Sequence, residues 1–556
     1  MKPGFTRRSL LWGAAPLLAV PAGPAFRFTD VTRGAGLHFT HNTGAFGRKY
    51  LPETMGPGCA FLDYDADGWQ DILLVNGMDW AANPHRKRTT LALYKNNRNG
   101  TFTDVTRAAG LDVEMFGLGV SVGDYNNDGF PDILITAMGQ NRLFRNTGKG
   151  TFEDVTAKSG LGGREAFSTS AMWVDYDRDG LLDLLVCNYV RWSQDADVFC
   201  SINGKEKSYC TPEAYRGSTS WLFRNRGDGT FEDVTAKAGL FDNSSKSLGV
   251  AAIDFDQDGW PDLFMANDTQ PNKLYQNQRN GKFAEVALRA GVAFSEDGKA
   301  RAGMGVDAAD YDNSGIPSLV VTNFHNEMLG LYKGTKAGTF TDLATRSELG
   351  KATRGSLGFG CFFFDADLDG LVDLLIVNGH IDDSVTRVRP DVQFAQPPQL
   401  FLNTGGGRFR LGNADAGTEF NQPKVGRGAA FGDFDNDGDL DVLLTTNGGP
   451  AFLYRNDQLS GNRWIRFLLQ GTKSNRDGIG AVVKVSNGNE TATRVVKSGS
   501  SYLSQSEMPL TFGLGRRDSV ERVTVQWPSG RAEEFKNLKA NTAYRCVEGQ
   551  GVKPGR

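Results

Sequence analysis

Seven times along the chain the same acidic nine-residue phrase returns. DYDADGWQD begins at Asp63, DYNNDGFPD at Asp124, DYDRDGLLD at Asp175 and DFDQDGWPD at Asp254. DYDNSGIPS begins at Asp310, DADLDGLVD at Asp365 and DFDNDGDLD at Asp433, a mean spacing of about 62 residues. A period of this length marks one supersecondary unit used repeatedly, no copy of which can bury its apolar surface alone.

The flanks repeat with it. A short apolar run rich in small residues precedes each phrase, as in GPGCAFL, GLGVSVG, GFGCFFF and GRGAAFG. Another apolar run follows, such as DILLVNG or DVLLTTNG, then L-[YF]-x-N with a glycine turn, then TFxDVT. Runs of about five apolar residues bounded by Asp and Gly are strands, too short for helices. The 69 glycines fit a chain of many tight turns.

Four strands per unit in seven units predicts an all-β fold, a seven-bladed β-propeller over residues 26–457. A linear solenoid is the alternative, but ring closure is written in the sequence. The last repeat has a third strand at AFLYRN (451–456) and no fourth, while FRFTDVT at 26–32 is a fourth strand without a repeat. Pairing the two closes the ring and removes open sheet edges. Two insertions interrupt the period: about 190–217 in blade three and 380–398 in blade six. Long face loops are where binding functions sit.

The acidic phrase has the ligand logic of a calcium loop. Oxygens at its first, third and fifth positions converge, glycine permits the sharp turn, the seventh position offers a carbonyl, and a ninth-position carboxylate closes the shell. The expected ligands are Asp63, Asp65, Asp67, Trp69 and Asp71; Asp124, Asn126, Asp128, Phe130 and Asp132; and Asp175, Asp177, Asp179, Leu181 and Asp183. They continue with Asp254, Asp256, Asp258, Trp260 and Asp262, then Asp365, Asp367, Asp369, Leu371 and Asp373, then Asp433, Asp435, Asp437, Asp439 and Asp441. In the fifth loop Asp310 and Asp312 remain, but Ser314 and Ser318 replace the other two carboxylates. About six calcium sites are therefore expected, the Asp310 loop being weak or empty. Asp-Gly loops also serve as plain turns, but three or four carboxylates crowded into each of several loops repel without a cation. Magnesium resists so fully dehydrated a cage.

These seven units resemble the FG-GAP, or VCBS-type, repeats of the integrin α-subunit propeller. Beyond about residue 458, NRDGIGAVVKV, SGSSYLSQSE, LTFGLG and VTVQWPSG resemble an ASPIC/UnbV domain, placed at 458–550 with a tail at 551–556. Alternation in WIRFLLQ, AVVKVSN and RVTVQW independently predicts antiparallel β structure there. The combination is similar to bacterial members of the cartilage acidic protein family, which implies calcium binding and extracellular placement.

Residues 1–25 have secretory-signal anatomy: a basic start, an apolar run from Leu10 to Val20, and small residues near Ala22 and Ala25. Arg7 and Arg8 resemble a twin-arginine export signal. Export to periplasm or medium follows, and with it a disulfide between Cys200 and Cys210. Cys59, Cys187 and Cys361 sit in apolar runs as buried strand residues. A net charge of −4 carries no nucleic-acid footprint, which needs clustered Lys and Arg. No nucleophile elbow, phosphate loop or HExxH occurs. The expected role is an exported binding or adhesion module for a protein or glycan. The alternatives are an assembly or maturation factor for another exported protein, and a propeller hydrolase or lyase with its catalytic groups on face loops. His325 and His380 follow the second strands of blades five and six, and with Asn267, Asp268 and Asn323 are the candidates for a polar binding face.

Overall fold

The computed structural model describes residues 25–201 and 203–555. The expected export signal lies outside the described residues, residue 25 excepted. Seven four-stranded antiparallel sheets radiate from one axis. Blade one is built from Cys59–Leu62, Asp71–Leu74, Ala92–Asn96 and Phe102–Asp104, and each later repeat follows the same order from axis to rim. In blades two and three, neighbouring strands also pair directly, Phe167 opposite Met138. The seventh blade takes its outer strand from the chain's beginning: Phe26–Asp30 pairs antiparallel with Phe452–Gln458. Phe26 and Phe28 are buried there, Phe28 stacked on Phe420 with ring centroids 5.2 Å apart.

Each acidic loop joins the first and second strands of its blade, so all seven lie on one face of the disc. The two insertions leave after second strands and cover the opposite face. They meet near the axis: Tyr209 donates to Glu53 Oε2 (3.0 Å), and the Lys49 ammonium sits over the Tyr209 ring and pairs with Asp383. Cys200 and Cys210 are disulfide-bonded, with Cα atoms 5.2 Å apart; Cys59, Cys187, Cys361 and Cys546 are free and buried.

Residues from Arg463 onward form two further four-stranded sheets packed face to face through Ile465, Phe467, Val483, Val523 and Trp527. Every strand pair but one is antiparallel. The exception corrects the sequence expectation: Arg463–Gln470 and Thr542–Val547 run parallel, and alternation cannot distinguish the two directions. This domain sits on the acidic-loop face.

Its most consequential segment is a strap, Ser498–Glu507, that runs into the axial channel. Val306 and Ser501 exchange backbone hydrogen bonds (3.0 and 2.7 Å), as do Phe61 and Cys59 with Gln505 (3.1 and 2.9 Å). The strap also touches Val120, Trp173, Phe359 and Phe431, and so engages the innermost strands of six blades. The glycines of the inner strands make room for it. A Cβ at Gly58 would lie 1.8 Å from the Leu503 carbonyl oxygen, and one at Gly428 2.5 Å from Ser504 Oγ.

Candidate metal centres

In each acidic loop the first aspartate organises the backbone. Asp63 accepts the N–H groups of Asp67 and Gly68, both at 2.9 Å, and Asp365 those of Asp369 and Gly370 at 3.1 and 2.9 Å. The fourth residue is left-handed in all seven loops, including Leu368 at φ 58° and Arg178 at φ 59°. A left-handed non-glycine repeated at one position is strain held for a purpose.

The folding brings the carboxylates together. In five loops three carboxylate oxygens lie within 4.8 Å of one another: Asp63, Asp65 and Asp71; Asp175, Asp177 and Asp183; Asp254, Asp256 and Asp262; Asp365, Asp367 and Asp369; Asp433, Asp435 and Asp441. In blade two Asn126 replaces one carboxylate, between Asp124 and Asp132. Several of these oxygens are buried without a hydrogen-bond partner: those of Asp65, Asp132, Asp175, Asp177, Asp256, Asp435 and Asp439. Orphaned buried carboxylate oxygens at this density could hold a cation, in geometry and in charge. Without a cation the groups resist ionisation. Burial first, then neighbouring carboxylates, push Asp63 and Asp254 to about 6, Asp124 and Asp175 to about 7, and Asp132 to about 9. Asp439, beside Asp437, rises to about 10.

Basic arms steady the outer oxygens. Lys95 pairs with Asp65, Arg98 with Asp67 (2.7 Å), Arg224 with Asp177 (2.7 Å) and Arg279 with Asp258 (2.6 Å). In loop five Lys333 holds Asp312 at 2.5 Å, and neither Asp310 nor Asp312 has an orphaned buried oxygen.

The ninth-position aspartate also works structurally. Asp71 and Asp262 each accept the backbone N–H of the asparagine in L-[YF]-x-N, Asn96 or Asn277, at 2.7 Å. That asparagine's amide then donates to the neighbouring blade: Asn96 to the Phe434 carbonyl (2.7 Å), Asn277 to Tyr176 (2.8 Å), Asn403 to Tyr311 (2.7 Å). Asn146, Asn225 and Asn456 do likewise. The motif was plain in the sequence; its part in joining each metal loop to the next blade was not.

The opposite face differs from the polar binding surface expected. Asn267 is fully buried, bonded to the Pro271 carbonyl and Ser247, and Asn323 donates to the Met328 carbonyl (2.6 Å). Asp268 is buried under the Tyr189 hydroxyl (2.6 Å). Asn267 and Asn323 bond to carbonyls of their own loops, and Asp268 to a residue of the preceding blade, roles a strand-ending polar residue can fill. His380 and His325 do lie close, with Phe324 against the His380 ring (5.8 Å). Burial lowers His380 to about 4, so it stays neutral.

No helix among the described residues is long and apolar enough to cross a membrane. An FG-GAP-like repeat model matches residues 63–135, 124–186, 194–265, 254–321 and 388–444, and an ASPIC and UnbV model matches 471–553. The chain is 27% identical over 343 residues to cartilage acidic protein 1 of Xenopus tropicalis, covering 59% of this chain and 50% of that protein. It is 26% identical over 369 residues to the Mus musculus protein, covering 65% and 52%. It thus spans about half the length of these relatives. Among solved structures, YCF48 bound to D1 peptide aligns with a TM-score of 0.41 at 9% identity, over 79% of this chain and 99% of that one. A lectin from Agrocybe aegerita aligns at 0.39 and 16%, over 71% and 87%.

Proposed function

From a chain that belongs to the FG-GAP-like repeat family and ends in an ASPIC and UnbV domain, we propose an exported, calcium-stapled propeller that works as a binding or adhesion module. The observation that carries the calcium reading is the set of orphaned, buried carboxylate oxygens on converging aspartates. An all-oxygen donor set with several carboxylates per loop suits calcium. The ligands would be the first, third, fifth and ninth side chains of loops one to four, six and seven, with the seventh-position carbonyl. Loop five, its carboxylates reduced to two and one of them held by Lys333, would bind weakly or not at all.

When bound, calcium supplies the positive charge that lets these aspartates ionise while buried. The protein's part is to hold them together through first-position N–H bonds and to pass the constraint to the next blade through the asparagine clamps. Binding free energy then adds to folding free energy. Export is supported by the Cys200–Cys210 disulfide, a feature of oxidising compartments. The binding surface would be the face formed by the insertions 190–217 and 380–398, where Phe199 stands 66% exposed and Val388 41%.

The test is thermal unfolding of the chain without residues 1–25 in calcium and in chelator, with a metal count. About six ions and a large calcium-dependent rise in Tm are expected. No bound metal and no shift would reduce the acidic loops to turns.

A further inference from the structure

Three acidic loops are completed by the C-terminal domain. In loop two, the Asp477 carboxylate accepts the backbone N–H of Asp124 (2.7 Å), and the Arg476 N–H donates to Asn127 Oδ1 (2.8 Å). In loop six, the Gly513 N–H donates to Asp365 Oδ2 (3.1 Å), the Asn462 amide to the Asp367 carbonyl (2.8 Å), and the Gly515 N–H to the Leu368 carbonyl (2.9 Å). In loop seven, Asp433 donates its N–H to Glu507 Oε2 (3.1 Å), and Arg466, paired with Glu507, stands 3.6 Å from Asp433 Oδ2. The Trp464 ring lies against Gly438 of the same loop.

On the calcium reading, the first-position aspartates of these loops would be ion ligands on one side, and they are docking groups on the other. Loop four is different. A cleft of about 800 Å³ lies between loops four and five and Thr493–Lys497; Lys497 reaches blade five, pairing with Asp307 and donating to the Ala308 carbonyl (2.9 Å), but no hydrogen bond joins loop four to the C-terminal domain among the described residues.

The domain bonds to backbone groups inside the loops, so loop conformation is the docking surface. Once ionised, three or four carboxylates in one loop repel each other, and a bound cation holds the loop in that conformation. Glu507 ends the strap and Gly513 lies six residues beyond it, so whatever loosens these contacts loosens the strap's anchor.

We propose that calcium in loops two, six and seven latches the C-terminal domain onto the disc and so keeps the strap in the channel. Removing calcium opens the latch. The proposal rests on the calcium reading above. By reciprocity, a seated domain raises the calcium affinity of those three loops and leaves loop four unaffected.

The test uses the full chain, with calcium counted by native mass spectrometry and amide exchange followed below the melting temperature. Chelation should speed exchange at Val496–Glu507 at least about tenfold, while amides of the blade cores stay protected. Gly513→Ala changes no loop residue, but its Cβ would sit 2.3 Å from Asp365 Oδ2. It should weaken part of the calcium isotherm about tenfold. Trp464→Ala, at loop seven, provides a second variant should the first not fold. Calcium that leaves without changing strap exchange, strap exchange that rises only in step with every blade, or variant isotherms equal to wild type would each overturn the latch alone. Absence of bound calcium in the wild-type chain would overturn the calcium reading together with it.

Discussion

Gly334 donates its backbone N–H to the Ser318 hydroxyl at 3.1 Å, and in this blade the connection stops there. In six blades the equivalent bond runs from an asparagine to an aspartate, and the asparagine amide goes on to the neighbouring blade. Blade five lacks both the ninth-position carboxylate and the inter-blade clamp. The clamp and that carboxylate are thus one device, present or absent as a unit.

Restoring carboxylates should restore an ion. Ser314→Asp with Ser318→Asp gives loop five the same four side chains as loop four. Native mass spectrometry should count one more calcium than in the wild type, and an unchanged count would show that four carboxylates alone do not make this loop an ion site.

The clamp itself can be weighed. Asn277→Ala leaves the Tyr176 and Pro261 carbonyls without their donor and removes the acceptor of the Arg279 N–H. Loss of buried partners costs about 1–3 kcal/mol. Denaturant unfolding in saturating calcium should show that loss, whereas Asn97→Ala, on an exposed turn, should stay within about 0.5 kcal/mol of wild type.

Stability should fall with rising pH without calcium and lose that dependence with it. In the cation-free chain the loop aspartates have folded pKa values raised above their ordinary range, to about 6 for Asp63, about 8 for Asp71 and Asp262, and about 9 for Asp132. The native state then holds more protons than the unfolded state between about pH 4 and these values, so stability falls as pH rises through that window. In chelator, Tm should drop steadily from pH 5 to pH 8. Excess calcium should abolish the drop, because calcium binds the ionised form. A pH-independent Tm in chelator would mean that these carboxylates are not paying for burial.

Arg466 and Glu507 form a buried pair between the C-terminal sheet and the strap, with Thr511 also accepting from Arg466 (2.9 Å). Removing one member leaves a buried charge, at a cost of about 3–5 kcal/mol. Arg466→Met should destabilise by that amount, and adding Glu507→Gln should recover part of it. Additive effects in the double-mutant cycle would argue against a coupled pair.

Much of this was legible because each blade solves the same local problem with the same residues. The phrase beginning at Asp63 announces a turn, a cluster of converging carboxylates and two flanking strands at once, and the unmatched strand at Phe26 announces closure. The strap was not legible. SGSSYLSQSE has no apolar period, and its partners are mostly backbone groups of strands scattered through the chain, which no side-chain pattern records. The burial of Asn267 and Asn323 was not legible for a related reason: a polar residue at a strand end looks the same whether it serves a ligand or its own turn.

The pairing of Phe26–Asp30 with Phe452–Gln458 has a kinetic consequence. The first strand of the ring has no partner until the last blade is made, so closure joins segments more than 400 residues apart in the chain. Contacts that distant must wait for a large loop-closure entropy to be met, which places ring closure among the slow steps of folding. Until then the seventh blade presents an unpaired edge at Phe452–Gln458, and a second nascent chain can offer the same strand as readily as its own.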